Sequence, residues 1–209
     1  MADLFAGQSA APVDLNGVTI LPGYLDRAAQ TALVGELRGV AGRAPFRQYT
    51  TPGGRQMSVA MTAAGALGWM TDTSGYRYAA RHQDGQAWPD IPPGVLRVWR
   101  DVSGVACDPD SCLINFYGDG ARMGMHQDKD EADIRWPVVS ISLGDDALFR
   151  VGGVERPTPS KSHWLKSGDV AIIGGDARLA YHGIDRIRFG SSDLLSNQGR
   201  LNVTLRVAG

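Results

Sequence analysis

Seven short apolar runs follow one another through the C-terminal half of this 209-residue chain, and they constrain its fold more than any other feature. They are CLINFY (112–117), VVSISL (138–143), ALFRV (147–151), SHWL (162–165), DVAIIG (169–174), ARLAYHGI (177–184) and LNVTLRV (201–207). Each is too short for a core-spanning helix, and most are rich in β-branched or aromatic residues, with glycine-containing turns between them. Strands at this spacing predict a sandwich, a barrel or a jelly roll. The 27 glycines and 11 prolines fit a turn-rich β protein better than a helical bundle.

The N-terminal half reads differently. After a loose tail containing Ala and Pro, Asp26 is positioned to cap a helix in which Ala29, Leu33, Leu37 and Val40 recur at helical spacing. That pattern predicts an amphipathic helix of about four turns. A second helix is expected after Pro92-Pro93, with Leu96 and Trp99 facing inward. Between the two lie TPGG (51–54), MSVAMT (57–62) and GWMTDTSGYRY (68–78), which suggest a short hairpin with long connections. Long connections on a compact domain are often binding elements. The division expected is a tail and helix over 1–45, a loop-rich segment over 46–105 and a β core over 106–209, together one compact domain.

Composition excludes several classes. The net charge of -1 gives no bulk support for nucleic-acid binding. Between Arg38 and Arg100, however, eight arginines face three acids, a surplus that suits phosphates and equally suits an ordinary solvated surface. Cys107 and Cys112 make no disulfide framework, and the absence of a CxxC pair argues against structural zinc. With no basic and apolar leader and no bilayer-length apolar run, the chain reads as soluble and cytoplasmic, with reduced thiols.

The chemistry concentrates in two places. His126 and Asp128, in MGMHQDKDE, are two apart, so an extended backbone points both to one side. His182, in LAYHGI, comes from a later strand. Two imidazoles and a carboxylate on one face form the triad that binds non-haem Fe(II) and leaves positions open. HxD alone is a weak pattern, and a given histidine is more often structural. The second place is RLNVTLR, where alternation puts Arg200, Asn202, Thr204 and Arg206 on one face. Two arginines inside a strand-rich fold call for an anion, and a guanidinium fork matches a carboxylate. Asn115 and Tyr117, also two apart, offer neutral donors to the same site. The competing interpretation is a solvated edge strand with two surface arginines.

At this point a family resemblance becomes visible. NFYGDGARMGMHQDKDE, SISLG, SGDVAIIGGDARLAYHGI and RLNVTLR, with PFRQYTTPGGRQMSVAMT and LGWMTDTSGYRY before them, resemble the AlkB family of Fe(II)- and 2-oxoglutarate-dependent dioxygenases. The likeness runs from about Phe46 to Arg206, in order and with nearly the same spacing.

The resemblance implies a mainly β protein with flanking helices. It would be a double-stranded β-helix, or jelly roll, whose 46–105 segment is a nucleotide-recognition lid with its supporting helix. It implies Fe(II) held by His126, Asp128 and His182, O2 as oxidant, and 2-oxoglutarate as cosubstrate. Arg200 would meet the distal carboxylate, Arg206 would lie near the chelating end, and Asn115, Tyr117 and Asn202 would complete the hydrogen bonds. Trp69 and Tyr76 would hold a flipped base against His126, and Asp130 would meet its exocyclic nitrogen. Thr51, Gln127 and Lys129 would contact phosphate or nucleotide, and Met61 and Arg156 complete the implied substrate set.

The activity so implied is oxidative demethylation of N1-methyladenine and N3-methylcytosine in DNA, single-stranded by preference. It would release formaldehyde, succinate and carbon dioxide, and a monomer is expected. Ile173 and Arg150 depart from the family pattern, where a tryptophan and a glutamine are expected, and the 189–199 tail also differs. Three alternatives remain: the same chemistry on RNA or tRNA bases or on free nucleotides, a protein hydroxylase, and a catalytically silent jelly-roll binder.

Overall fold

The computed structural model describes residues 10–209; the first nine residues of the expected loose tail lie outside the described residues, and the remainder carries a hairpin. Strands β1 (Val13–Leu15) and β2 (Val18–Leu21) flank Asn16-Gly17, both at positive φ (53° and 83°). Asn-Gly between alternating apolar residues is a strong short-range hairpin signal, and here Val18 and Ile20 point into the core. For residues 13–21 the expectation of a tail is corrected on that ground.

Helix α1 (Arg27–Arg43) is capped by Asp26, whose carboxylate accepts the Ala29 N–H at 2.8 Å. Its buried stripe includes Leu33, Val34, Leu37 and Val40, each contributing about 1.5–3 kcal/mol on full burial. Next come β3 (Arg47–Thr50), β4 (Gln56–Gly65) and a hairpin of β5 (Gly68–Asp72) and β6 (Gly75–Ala79). Helix α2 (Pro93–Val102) starts where the proline pair predicts, but its phase differs. Val95, Val98 and Trp99 are buried, while Leu96 is only half-buried.

The rest of the chain is β: β7 (Ser111–Tyr117), β8 (Met123–His126), β9 (Val138–Gly144), β10 (Ala147–Val151), β11 (Lys161–Leu165), β12 (Val170–Ile173), β13 (His182–Ile187) and β14 (Arg200–Arg206). ARLAYHGI is not one strand. Gly175, at φ 53°, opens a 3-10 turn over Gly175–Ala177, and extended backbone resumes only at His182.

Three layers result. The major sheet has the order β1-β2-β12-β9-β14-β7-β4-β3, and the minor sheet the order β11-β10-β13-β8. The β5–β6 hairpin stands apart as a two-stranded sheet. One face of the major sheet packs Ile114, Val139, Ile141, Leu201, Val203 and Leu205 against α1 and α2. The other face turns Val59, Met61, Leu113, Tyr117 and Val138 toward Phe149, Leu165 and Ile184 of the minor sheet. β14 lies between β9 and β7, which excludes a solvated edge. Among the described residues no helix is long and apolar enough to cross a membrane.

Two positions test this packing. A Cβ on Gly183 would meet Met123 O at 2.6 Å and Gly124 O at 2.8 Å, so β13 needs glycine to approach β8. Gly183→Ala should cost about 1–3 kcal/mol in denaturant unfolding; unchanged stability would show that the two strands can separate freely. Cys112 is fully buried, and burial pushes its thiol up to about 12, with Arg206 offsetting little. A thiol reagent at pH 8 should therefore modify the half-buried Cys107 in the native protein and reach Cys112 only after unfolding. Mass spectrometry of the labelled chain distinguishes one adduct from two.

Candidate active site

Alternation along three adjacent strands builds the floor of a cavity of about 370 Å3. In β14, Leu201, Val203 and Leu205 face the helices, which leaves Arg200, Asn202, Thr204 and Arg206 lining the cavity. Register sets Asn202 opposite Asn115 on one side and Ser142 on the other, and Arg200 opposite Tyr117. Asn202 donates to Ser140 Oγ at 2.6 Å and accepts from Thr204 Oγ1 at 3.1 Å.

The minor sheet supplies the opposite wall. Pairing of β8 with β13 puts His126 directly across from His182, with ring centroids 4.6 Å apart. β8 ends at His126, so Asp128 reaches the site from the following loop rather than from a strand. One ligand atom from each of His126, Asp128 and His182 lies within 4.8 Å of the others. Their Nε2 atoms stand 3.6 and 3.7 Å from the two Asp128 oxygens, too far for hydrogen bonds. Each imidazole Nδ1 sits against a backbone carbonyl, Gly124 O at 2.9 Å and Ala180 O at 3.0 Å. That contact selects the Nδ1–H tautomer and leaves Nε2 with a free lone pair.

Electrostatics prepares the ligands. Burial opposes ionisation of Asp128, but Arg206 and the two imidazoles outweigh it and hold the carboxyl well below the usual range. Burial lowers His182 below its ordinary value despite Asp128, which favours the uncharged ring that a metal needs. An ionised carboxylate and neutral imidazoles are the donor set that non-haem Fe(II) takes.

The two arginines differ. Arg206 Nη2 donates to Asp128 Oδ2 at 2.8 Å, and Nε lies 3.1 Å from Glu131 Oε1, so its charge is met within the protein. Arg200 is 1% exposed; its direct contacts are the uncharged Ser142 and Tyr117, with Asp169 adding a lesser Coulombic attraction. Its Nη2 donates to Ser142 Oγ at 3.0 Å, and its guanidinium sits 5.3 Å from the Tyr117 ring centroid. Nε and Nη1 of Arg200 find no hydrogen-bond partner among the described residues. A buried, under-satisfied guanidinium on a cavity wall is built for an anion, and a carboxylate matches its fork. The residues therefore fit both a metal at the triad and a carboxylate-bearing cosubstrate across the floor.

The mouth is aromatic. Trp69 and Tyr76 are diagonal neighbours on the β5–β6 hairpin, stacked with centroids 5.6 Å apart and planes 21° from parallel. The indole N–H of Trp69 donates to Asp130 Oδ2 at 3.0 Å. Met61, Gln127, Lys129 and Asp130 also line the cavity, although Gln127 donates its amide to Leu179 O (2.6 Å) and Val154 O (3.1 Å). Thr51 and Arg156 lie outside the lining. Thr51 Oγ1 accepts from Arg55 N in the β3–β4 turn, and Arg156 lies over the Tyr181 ring and donates to Met125 O. Ile173 borders the cavity, whereas Arg150 is turned away from it toward Asp185 and Ser160.

Tyr78, Glu131 and Arg178 were not legible as functional in the sequence. Tyr78 OH donates to Glu131 Oε1 at 2.7 Å, and Arg178 Nη2 pairs with Glu131 Oε2 at 3.1 Å. Only Glu131 carried a signal, by its place in HQDKDE. The arginine surplus is partly spent locally, Arg77 on Asp72 and Arg100 on Asp108.

Comparison with known proteins agrees with this geometry. Residues 17–206 match the 2OG-Fe(II) oxygenase superfamily. An alpha-ketoglutarate-dependent dioxygenase AlkB homolog of Caulobacter vibrioides is 55% identical over 193 residues, covering 92% of this chain and 88% of the relative. The alpha-ketoglutarate-dependent dioxygenase AlkB of Escherichia coli is 42% identical, covering 100% of this chain and 99% of that protein. The solved structure of OsALKBH1 superimposes with a TM-score of 0.77 at 30% identity, covering 93% of this chain and 99% of that one. The chain belongs to the 2OG-Fe(II) oxygenase superfamily and, within it, to the AlkB alpha-ketoglutarate-dependent dioxygenases.

Proposed function

We propose that this dioxygenase removes methyl groups from N1-methyladenine and N3-methylcytosine in DNA, with single strands preferred. The observation that carries the reading is the stacked Trp69–Tyr76 pair beside the Asp130 carboxylate, bordering the cavity that holds the His–Asp–His cluster. An aromatic surface accepts any base, and the exposed carboxylate of Asp130 beside it attracts the cationic methylated ones. Relatives named as a DNA N(6)-methyladenine demethylase (Arabidopsis thaliana) and a tRNA demethylase (Schizosaccharomyces pombe) support a nucleic-acid substrate.

Iron(II) is the cofactor, and with O2 and 2-oxoglutarate it supplies C–H oxidation. The keto acid becomes succinate and carbon dioxide, and the hydroxylated N-methyl carbon leaves as formaldehyde. His126, Asp128 and His182 hold the iron. Arg200 takes the distal carboxylate of 2-oxoglutarate, with Tyr117, Asn115 and Asn202 beside it, and Arg206 keeps Asp128 ionised and oriented. Within the 46–105 segment the β5–β6 hairpin acts as the nucleotide lid: Trp69 and Tyr76 hold the base, which must leave the duplex to be reached. Thr51, Lys129 and Arg156 serve the strand around it.

The test is anaerobic loading with Fe(II) and 2-oxoglutarate, then air and an oligonucleotide carrying one N3-methylcytosine, read by mass spectrometry. Loss of one methylene mass, dependent on cosubstrate and absent in His126→Ala, supports the reading. Succinate formed with the DNA unchanged would move the substrate to methylated RNA, tried next in the same assay.

A further inference from the structure

Arg178 lies outside the cavity, four residues before His182, and it is 5% exposed. Its guanidinium makes three contacts, all on the segment that carries Asp128. Nη1 donates to the backbone carbonyl of Asp128 at 2.6 Å, Nε to that of Trp136 at 2.7 Å, and Nη2 meets Glu131 Oε2 at 3.1 Å. The 127–137 segment between β8 and β9 contains no helix or strand, so its backbone has no ladder to hold it. A planar fork with fixed donor directions supplies what regular structure does not.

Glu131 extends the grip. Its other oxygen accepts from Tyr78 OH of the β5–β6 hairpin at 2.7 Å and faces Arg206 Nε at 3.1 Å. Arg206 in turn holds Asp128 Oδ2 at 2.8 Å. Asp128 is thus restrained at its carbonyl by Arg178 and at its carboxylate by Arg206, with Glu131 bridging the two arginines. Gln127 adds a second tie to the His182 side, through Leu179 O at 2.6 Å.

From this we propose that Arg178 is a positioning residue for the metal centre. It joins the segment bearing Asp128 to the segment bearing His182, so that the ligand set is preformed before metal arrives. The proposal rests on the reading that His126, Asp128 and His182 hold the metal. Residues behind a ligand set typically change metal affinity about 10- to 100-fold when altered.

The experiment is a calorimetric Mn(II) titration of the metal-free full chain, with thermal unfolding measured alongside. The variants are Arg178→Lys, Glu131→Gln and Asp128→Ala. Lysine keeps the charge but replaces the three-way fork with one ammonium; glutamine keeps the shape of Glu131 and removes its charge. Both should weaken Mn(II) about 10- to 100-fold while remaining folded, and Co(II) bound to Arg178→Lys should show an altered d–d absorption spectrum. Wild-type Mn(II) affinity in either folded variant overturns the proposal, as does a lowered thermal midpoint with unchanged affinity. Retention of wild-type affinity by Asp128→Ala would instead remove the metal-site reading itself.

Discussion

Arg200→Met is expected to weaken 2-oxoglutarate binding by about 30-fold to a few thousand-fold, the equivalent of roughly 2–5 kcal/mol for a lost buried charge pair. The wild-type side chain is fully buried, donates to Ser142 Oγ and leaves Nε and Nη1 without partners. Burial pushes its pKa below the ordinary arginine value, a sign that the charge is uncomfortable without an anion. If Arg200 receives the cosubstrate carboxylate, binding should relieve a cost that the metal-free fold carries. Two further results follow. Without 2-oxoglutarate, Arg200→Met should be as stable as wild type or more so, because an apolar side chain of similar volume replaces an unpaired buried cation. At a 2-oxoglutarate concentration that saturates the wild type, the thermal midpoint should rise clearly in the wild type and much less in the variant. Arg200→Lys should fall between them, retaining charge without the fork. Calorimetric titration of Mn(II)-loaded protein gives the affinities, and an Arg200→Met that binds like wild type would remove this residue from the cosubstrate site.

Asp128→Ala should abolish stoichiometric metal binding and reduce turnover to background. It should also destabilise the metal-free fold, by about 3–5 kcal/mol, because it breaks a buried pair from one side. Arg206 would then keep only Glu131 as a charged partner. The pH dependence gives an independent reading. The folded carboxyl lies well below its ordinary value, since Arg206 and both histidines overcome the burial cost. A depressed carboxyl contributes stability above its unfolded value, near 3.8, and loses it as pH falls further. The metal-free wild type should lose stability on acidification below about pH 4.5, and Asp128→Ala should show a shallower acid limb. Asp128→Asn, which can still accept from Arg206, should recover part of the stability and none of the metal. One metal per chain at wild-type affinity in Asp128→Ala would refute the ligand assignment.

Much of the site was legible because strand alternation is a local rule. Leu201, Val203 and Leu205 bury one face of RLNVTLR, and from that alone Arg200, Asn202, Thr204 and Arg206 must share the other. The same period aligned Asn115 with Tyr117, and the Asp26 cap with its apolar stripe located α1. The hairpin at Asn16-Gly17 was equally local, and its turn signal lay within what looked like a tail.

What the chain alone determined was therefore the elements, the faces they bury and the chemical types presented on the remaining faces. Tertiary structure decided the rest. Only the pairing of β8 with β13 brought His126 across from His182, and only the cover of both faces of the major sheet made Arg200 a buried cation rather than a surface one. The Arg178–Glu131–Arg206–Asp128 chain joins residues up to 78 positions apart, from four separate segments counting Tyr78. No periodicity encodes it. Its members attract one another strongly because burial removes the water that would otherwise screen them, and burial is a property of the assembled layers.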